Sequence, residues 1–321
     1  MELKSMTYCN NIIKEVDTFL FNMPVEYSLG HCVARDMRMS SGIAVYFKSI
    51  FGRVGELMDQ RPNVGNVAYL QQNDRFIYYL ITKNISTQKP NYNTITAAIK
   101  KLRDFVVVHG VKKLAIPRIG CGLDKLDWLL VKEIIGRMFK DVGCKIKVCH
   151  FTQSLTEEKL SLKINHPKVI RWFQSINDID KREFEKLNFI LFSHQTTSTA
   201  YWDHRFQVVN EKYRFKSQYF KDYEANLEVG QCLHYDTTEA HVYIIVINEN
   251  STDLFSYRNL EKGLNKITNM IENIQWHPTF IVQKMNTQMD QTISEDLINE
   301  KVISLISSTF LILTPCVIIE I

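Results

Sequence analysis

The sequence predicts an α/β fold in two tandem copies, each a mostly parallel sheet with helices on both faces. Three observations predict it. Apolar runs of strand length alternate with helical patterns along the first half. Residues 76–92, FIYYLITKNISTQKPNY, align without a gap with residues 241–257, HVYIIVINENSTDLFSY, at an offset of 165. The length of 321 residues exceeds one average core and suits two domains of about 150 residues each. The register extends upstream, where NVGNVAYLQQND (63–74) lies over EVGQCLHYDTTE (228–239). Downstream, NTITAAIKKL (93–102) lies over RNLEKGLNKI (258–267), and further back YSLGH (27–31) resembles ILFSH (190–194). The copies span residues 1–151 and 169–321, with residues 152–168 as a polar linker.

In the first copy the β-rich runs are YSLGHCV, NVAYL, RFIYYLIT, KLAIP and IKVCHF. The helical patterns between them are GIAVYFKSIF, YNTITAAIKKLRDFVVVHG and LDWLLVKEIIGRMFKDVG. The second helix follows Pro90, starts near Asn93 or Thr94 and stops at Gly110, a residue suited to a helix C-terminal turn. The third stops near Gly143. Ligands of such sheets sit beyond the C-terminal ends of the strands. The segments to inspect are therefore those just after RFIYYLIT and KLAIP.

Composition narrows the class. Hydrophobic residues make up 45% and charged residues 23%, ordinary values for a soluble globular protein. No stretch approaches the roughly 20 apolar residues of a membrane span, so no membrane partner is expected. The N-terminal segment has no apolar run behind a basic start, so no secretory signal is expected. Cys9, Cys32, Cys121, Cys144, Cys149, Cys232 and Cys316 are odd in number and form no CxxC pair. They read as reduced intracellular thiols with no zinc site, and with no targeting signal expected, the nucleus or cytoplasm is the expected place; no metal and no cofactor are expected.

The net charge of +4 hides an asymmetry. Residues 1–151 carry 22 basic against 13 acidic side chains, and the rest carries 17 against 22. A basic first half suits an anionic ligand. Lys100, Lys101, Arg103, Lys112 and Lys113 are expected on one basic face, which makes nucleic acid a secondary partner.

After KLAIP comes Arg118-Ile119-Gly120-Cys121-Gly122-Leu123-Asp124. Two glycines within three residues at a strand-to-helix turn let backbone N–H groups approach a pyrophosphate. The same glycines suit an ordinary turn. Met39-Ser40-Ser41-Gly42-Ile43-Ala44 offers a second run of small residues before the first helix. Lys83 follows RFIYYLIT at the same sheet edge as Asp124, and the two face one cleft if their strands are neighbours. A lysine can attack a sugar carbonyl carbon while a carboxylate moves the proton, and the same pair also suits a plain ion pair.

These segments together resemble the macrodomain family, and most of all its terminal ADP-ribose protein glycohydrolase branch. The resemblance is carried by SLGHC (28–32), RMSSGIAVYFKSIFG (38–52), FIYYLITK (76–83), KPNY (89–92) and LAIPRIGCGLDKLDW (114–128), and covers nearly all of residues 11–151. It implies a three-layer α/β/α sandwich that binds ADP-ribose and hydrolyses its ester to Glu or Asp of a protein. Nucleic acid carrying ADP-ribose and O-acyl-ADP-ribose are further implied substrates, and a non-catalytic reader of ADP-ribosylated targets is the alternative. The implied catalytic residues are Lys83 and Asp124. The implied ligand-binding residues are Asp17 at the adenine, Thr18, His31, Ser40, Ser41, Gly42, Ile43, Ala44, Arg118, Ile119, Gly120, Cys121, Gly122 and Leu123. The chain departs from the family at Val16, Ala34 and the Ser40-Ser41-Gly42 loop, where glycine, serine and Gly-Ala-Gly are usual.

The second copy lacks this chemistry. Lys83 aligns with Asn248, and the glycine loop is replaced by Val282-Gln283-Lys284-Met285-Asn286-Thr287-Gln288-Met289-Asp290. A degenerate macrodomain repeat is expected there, with Asp290 over Asp124 and His194 as a structural histidine.

Overall fold

The computed structural model describes residues 12–150, 169–172, 186–195, 204–224, 226–250, 252–271, 280–284, 293–310 and 317–320. The chain divides into two units, Met1–Leu162 and Lys163–Ile321. The expected linker at 152–168 lies outside the described residues. Among the described residues no helix is long and apolar enough to cross a membrane.

The first unit contains β1 (Ile13–Val16), a 3-10 turn (Leu20–Asn22), β2 (Ser28–Ala34), α1 (Ile43–Phe51), α2 (Val54–Asp59), β3 (Val67–Gln72) and β4 (Arg75–Lys83). It continues through α3 (Tyr92–Val108), β5 (Lys113–Ile116), α4 (Trp128–Phe139) and β6 (Lys145–Cys149). The sheet order is β1-β6-β5-β2-β4-β3, parallel except for the β3–β4 hairpin. β1 and α2 are additions to the sequence reading. β1 has only four residues, and its alternation of Ile13 and Val16 with Lys14 and Glu15 carries a weak strand signal. α3 starts one to two residues earlier than its sequence suggests. Asn91 caps it, accepting from the Thr94 amide at 3.0 Å, while the Thr94 hydroxyl accepts from the Asn91 amide.

One face of the sheet packs against α3 and α4. Tyr78, Leu80, Leu114, Ile116, Ile146 and Val148 meet Ile95, Ile99, Leu102, Val131, Ile135 and Phe139 there, all fully buried or nearly so. Each such side chain contributes about 1.5–3 kcal/mol by leaving water. The other face buries Leu29, Val33, Tyr79 and Ile81, with Phe47 of α1 and Leu57 and Met58 of α2 also buried.

The second unit contains β7 (Val169–Trp172), β8 (Leu187–His194), α5 (His204–Tyr213), α6 (Lys216–Glu224), β9 (Cys232–Asp236) and β10 (Ala240–Asn248). It ends with α7 (Tyr257–Ile271), β11 (Phe280–Val282), α8 (Glu295–Thr309) and β12 (Val317–Glu320). Its strand order is β7-β12-β11-β8-β10-β9, the order of the first sheet strand for strand. Backbone hydrogen bonds recur at the same offset. The Gly65 amide donates to Ile81 O at 2.7 Å, and the Gly230 amide to Val246 O at 2.7 Å. Both glycines have φ above +80°, a region that excludes most side chains.

One sequence alignment needs correcting. Leu29 pairs with Ile77, and Phe189 pairs with Val242, the residue 165 positions on from Ile77. Leu29 therefore corresponds to Phe189 and Ala34 to His194. The match of YSLGH to ILFSH is three residues out of register, because both strands are buried and apolar and contain one histidine each.

Candidate active site

The site is built at the C-terminal edge of the first sheet, from loops that follow β2, β4 and β5. The condition that the strands of Lys83 and Asp124 be neighbours is not met, since β2 lies between β4 and β5. The loop after β5 reaches across β2 instead. Lys83 Nζ and Asp124 Oδ1 meet at 2.6 Å, with only 14% and 13% of the two side chains exposed.

The backbone shapes this reach. β2 and β4 run in register from Leu29–Ile77 to Val33–Ile81, then slip so that Ala34 lies opposite Lys83. The Arg35 amide donates to Lys83 O at 2.9 Å and the Asp36 amide to Asn84 O at 3.1 Å, which prolongs the pairing past the strand ends. Asp36 is buried and accepts from the Ser86 amide at 2.7 Å, the Ser86 hydroxyl at 2.8 Å and the Arg38 amide at 3.1 Å. A carboxylate with three donors is a strong local tie. It binds the segment after Lys83 to the segment that leads into Ser40–Ala44.

Loop 118–124 is a chain of tight turns. The Cys121 amide donates to Arg118 O at 3.2 Å, the Leu126 amide to Gly120 O at 2.9 Å and the Lys125 amide to Gly122 O at 3.2 Å. Gly120 has φ of +73°, and a Cβ there would sit 2.5 Å from Ile95 Cδ1. Glycine is thus required both by the turn and by the close approach of α3. Lys89 holds the far end of the loop by donating to Leu123 O. Ile119 is buried beneath the loop, whereas Gly122 and Leu123 are exposed. Across the cleft, Gly42 takes φ +61° and ψ −148° at the start of α1, and a Cβ there would meet Leu123 Cδ1 at 3.7 Å. Ser40–Ala44 and Arg118–Leu123 thus approach as two walls.

The entrance to the loop is pinned by a residue that the sequence reading missed. Glu15 of β1 accepts from Arg118 Nη2 at 2.8 Å, Lys132 Nζ at 2.7 Å and Trp128 Nε1 at 3.2 Å, with His150 Nε2 at 3.3 Å. Burial works to raise the Glu15 carboxyl, but hydrogen bonds from Lys132, Arg118 and Trp128 outweigh it and pull it down to about 2. Nothing in a four-residue segment marks a glutamate as the hub of donors more than 100 residues away. Asp36 was missed for a similar reason, since its partners come from a loop 50 residues on.

The other expected residues divide. Asp17 directly follows β1 with its side chain 96% exposed, and Thr18 beside it is half-buried. The expectation that His31 contacts a ligand is corrected. His31 is fully buried, stacked on Phe47 at 3.7 Å and edge-on to Tyr79, and burial pushes its imidazole down to about 3. It is a neutral core residue of β2. Burial also raises the Cys32 thiol, and raises Cys121 to about 11, so neither supplies a thiolate near neutral pH. The expected single basic face is corrected too. Lys100, Lys101 and Arg103 belong to α3, which covers one side of the sheet, whereas Lys113 points to the other side.

In the second unit, Asn248 ends β10 opposite His194 after the same kind of register slip. Its side chain is buried, donating to Asp253 O at 2.9 Å and accepting from the Ser256 amide at 3.2 Å. Gln283 is buried and accepts from the Phe192 amide at 2.9 Å. His194 is buried, and burial lowers its pKa. Residues 285–292, including Asp290, lie outside the described residues.

No family model matches the chain. It is 43% identical over 129 residues to a Homo sapiens protein named ADP-ribose glycohydrolase OARD1, a match that covers 40% of this chain and 85% of that protein. It is also 43% identical over 77 residues to Uncharacterized protein 032R of Invertebrate iridescent virus 6, covering 24% of this chain and 76% of that one. Among solved structures, the macrodomain of Thermus aquaticus DarG matches 44% of this chain and 98% of its own, at 20% identity and a TM-score of 0.40.

Proposed function

This chain belongs to the macrodomain family that includes the human ADP-ribose glycohydrolase, and from that premise we propose that its first unit binds ADP-ribose and hydrolyses an ADP-ribosyl ester on Glu or Asp of a protein. The observation that carries the reading is the sheltered contact of 2.6 Å between Lys83 and Asp124. A reader module has no need of a nucleophile held against a carboxylate.

The Asp124 carboxylate takes a proton from Lys83, whose free lone pair attacks C1″ of the distal ribose. The bond from C1″ to the target's carboxylate oxygen breaks, and its electrons leave with that carboxylate. The proton held by Asp124 follows the departing carboxylate, and ring opening, with one Nζ proton passing to the ring oxygen O4″, gives a Schiff base on Nζ. Asp124 then draws a proton from water, whose hydroxyl adds at C1″, and passes it to Nζ as the C1″–Nζ bond breaks, which releases ADP-ribose and free Lys83. Asp17 and Thr18 hold the adenine end. Ser40, Ser41, Gly42, Ile43 and Ala44 form one wall at the phosphates, and Arg118, Gly120, Cys121, Gly122 and Leu123 form the other, with Ile119 supporting it. The same site suits ADP-ribose esterified to a nucleic acid end or to a small acyl group.

The second unit is, in this reading, a degenerate macrodomain copy over residues 169–321, joined by 152–168 to the active copy at 1–151. The shared strand order and the offset of 165 support it. The test is release of ADP-ribose from a Glu-linked mono-ADP-ribosylated protein, beside Lys83→Ala and Asp124→Ala. Release by the wild type that collapses in both variants is expected. Binding of free ADP-ribose without release would make the unit a reader.

A further inference from the structure

We propose that the lysine-bearing face of β1, β6 and β5 in the first unit binds the phosphodiester backbone of a nucleic acid. The strand register places four lysines there. Lys14 pairs with Lys147 and Lys113 with Lys145, so their side chains leave the sheet on the same side. The alternate residues Ile13, Leu114, Ile146 and Val148 point the other way, into the core beneath α3 and α4. Lys14 and Lys145 are exposed, and Lys113 and Lys147 are half-buried.

Two features separate this face from an ordinary solvated surface. Like charges directly opposite on neighbouring strands destabilise a sheet, and this face contains two such pairs in succession. Among the described residues, Glu26 faces this set, reaching Lys113 at 3.3 Å and acting on Lys147 as well, one acid for four lysines, while on the helices Arg103 has Asp104 beside it and Arg137 has Glu133. The Tyr27 ring lies against two of the lysines, with Lys147 Nζ at 4.8 Å and Lys113 Nζ at 5.6 Å from its centre, which keeps both ammonium groups on one ledge.

The spacing matches the partner. Paired lysines start about 4.8 Å apart, and Lys145 and Lys147 start about 6.6 Å apart along β6. Flexible stems on that pitch can each meet one phosphate of a polymer. The ring of Tyr27 is buried, so nothing on the ledge reads a base. The binding is therefore sequence-independent and electrostatic. Lys113 and Lys145 begin their strands, whereas Lys83 ends its own, so the ledge is separate from the Lys83–Asp124 cleft.

Fluorescence anisotropy of the full chain with a short labelled single strand and with the matching duplex tests this across a salt series. Four phosphate contacts give a log–log slope of about −3 to −4, a loss on the order of 100-fold between 50 and 200 mM salt. Replacing all four lysines with Gln is expected to abolish the binding with the thermal midpoint retained. The milder Lys14→Gln and Lys145→Gln, at exposed positions, each flatten the slope by about 1 and keep the test open if the fourfold variant fails to fold. Absence of binding to both oligonucleotides at low salt overturns the proposal. So does binding that keeps its slope in the single variants, or binding to anionic vesicles in place of oligonucleotides. None of these outcomes depends on hydrolysis, so the proposal stands or falls apart from the reading of the cleft.

Discussion

The ends of β4 and β10 occupy the same place in two sheets of identical strand order, and they put opposite demands on the residue there. Lys83 ends β4 with a charged tip held at the mouth of the site by one carboxylate. Asn248 ends β10 with both ends of its amide consumed by backbone within its own loop. The first arrangement leaves an amine against a carboxylate, and the second spends its polar atoms on closing a turn. A strand end can thus keep its geometry while its side chain changes partners, from the proposed chemistry to architecture.

Writing the second unit into the first gives the largest expected effect. Lys83→Asn should cut ADP-ribose release on the order of 10²–10⁴-fold while free ADP-ribose still binds. A variant that turns over at the wild-type rate would show that the lysine is no part of the reaction. The reverse exchange is structural. Asn248→Lys leaves a buried ammonium and removes the oxygen that accepts from the Ser256 amide, which should cost the second unit about 3 kcal/mol or more, read as a lower denaturation midpoint. An unchanged midpoint would mean that the loop has another closure.

The two units also differ in how closely a helix approaches its sheet. A Cβ on Gly263 of α7 would lie 2.4 Å from Ile245 Cγ2, whereas the residue 165 positions earlier is Ala98. Gly263→Ala should destabilise the second unit by about 1–3 kcal/mol, although alanine favours a helix by about 1 kcal/mol over glycine. A rise in stability would show that α7 has room to move outward.

The smallest expected effect is at Glu15, about 1 kcal/mol at neutral pH for Glu15→Gln, since the cluster is partly solvated. Its sign with pH is definite. A carboxyl held at about 2 in the fold and higher in the unfolded chain contributes stability near neutrality. That contribution fades as pH falls from the ordinary glutamate range towards 2. Glu15→Gln should therefore be less stable at pH 7 and show a shallower acid decline, measured by denaturant unfolding at several pH values. Parallel curves for the two proteins would remove Glu15 from the account of the loop.

The major strands, the three longer helices of the first unit and the Lys83–Asp124 pair were legible because each is written in contiguous residues. KLAIPRIGCGLD states a strand, a turn and a carboxylate in one line. The illegible parts share one cause, which is that their meaning lies in partners remote in sequence. Glu15 becomes a hub through Arg118, Trp128 and Lys132, and Asp36 becomes a clamp through Ser86. His31 looked like a ligand contact because it sits in a motif, but Phe47 and Tyr79 close around it. The basic face was misread for a related reason. Nearness in sequence suggested Lys100–Lys113, whereas strand register joins Lys14 to Lys147.

The placement of β2 between β4 and β5 also bears on when reactivity first arises. Lys83 and Asp124 are 41 residues apart and touch only after the loop has crossed an intervening strand. At about 5–20 residues per second of synthesis, the lysine leaves the ribosome roughly 2–8 s before its carboxylate. In the proposed mechanism the amine therefore waits for its carboxylate until the closure that completes the sheet brings the two together.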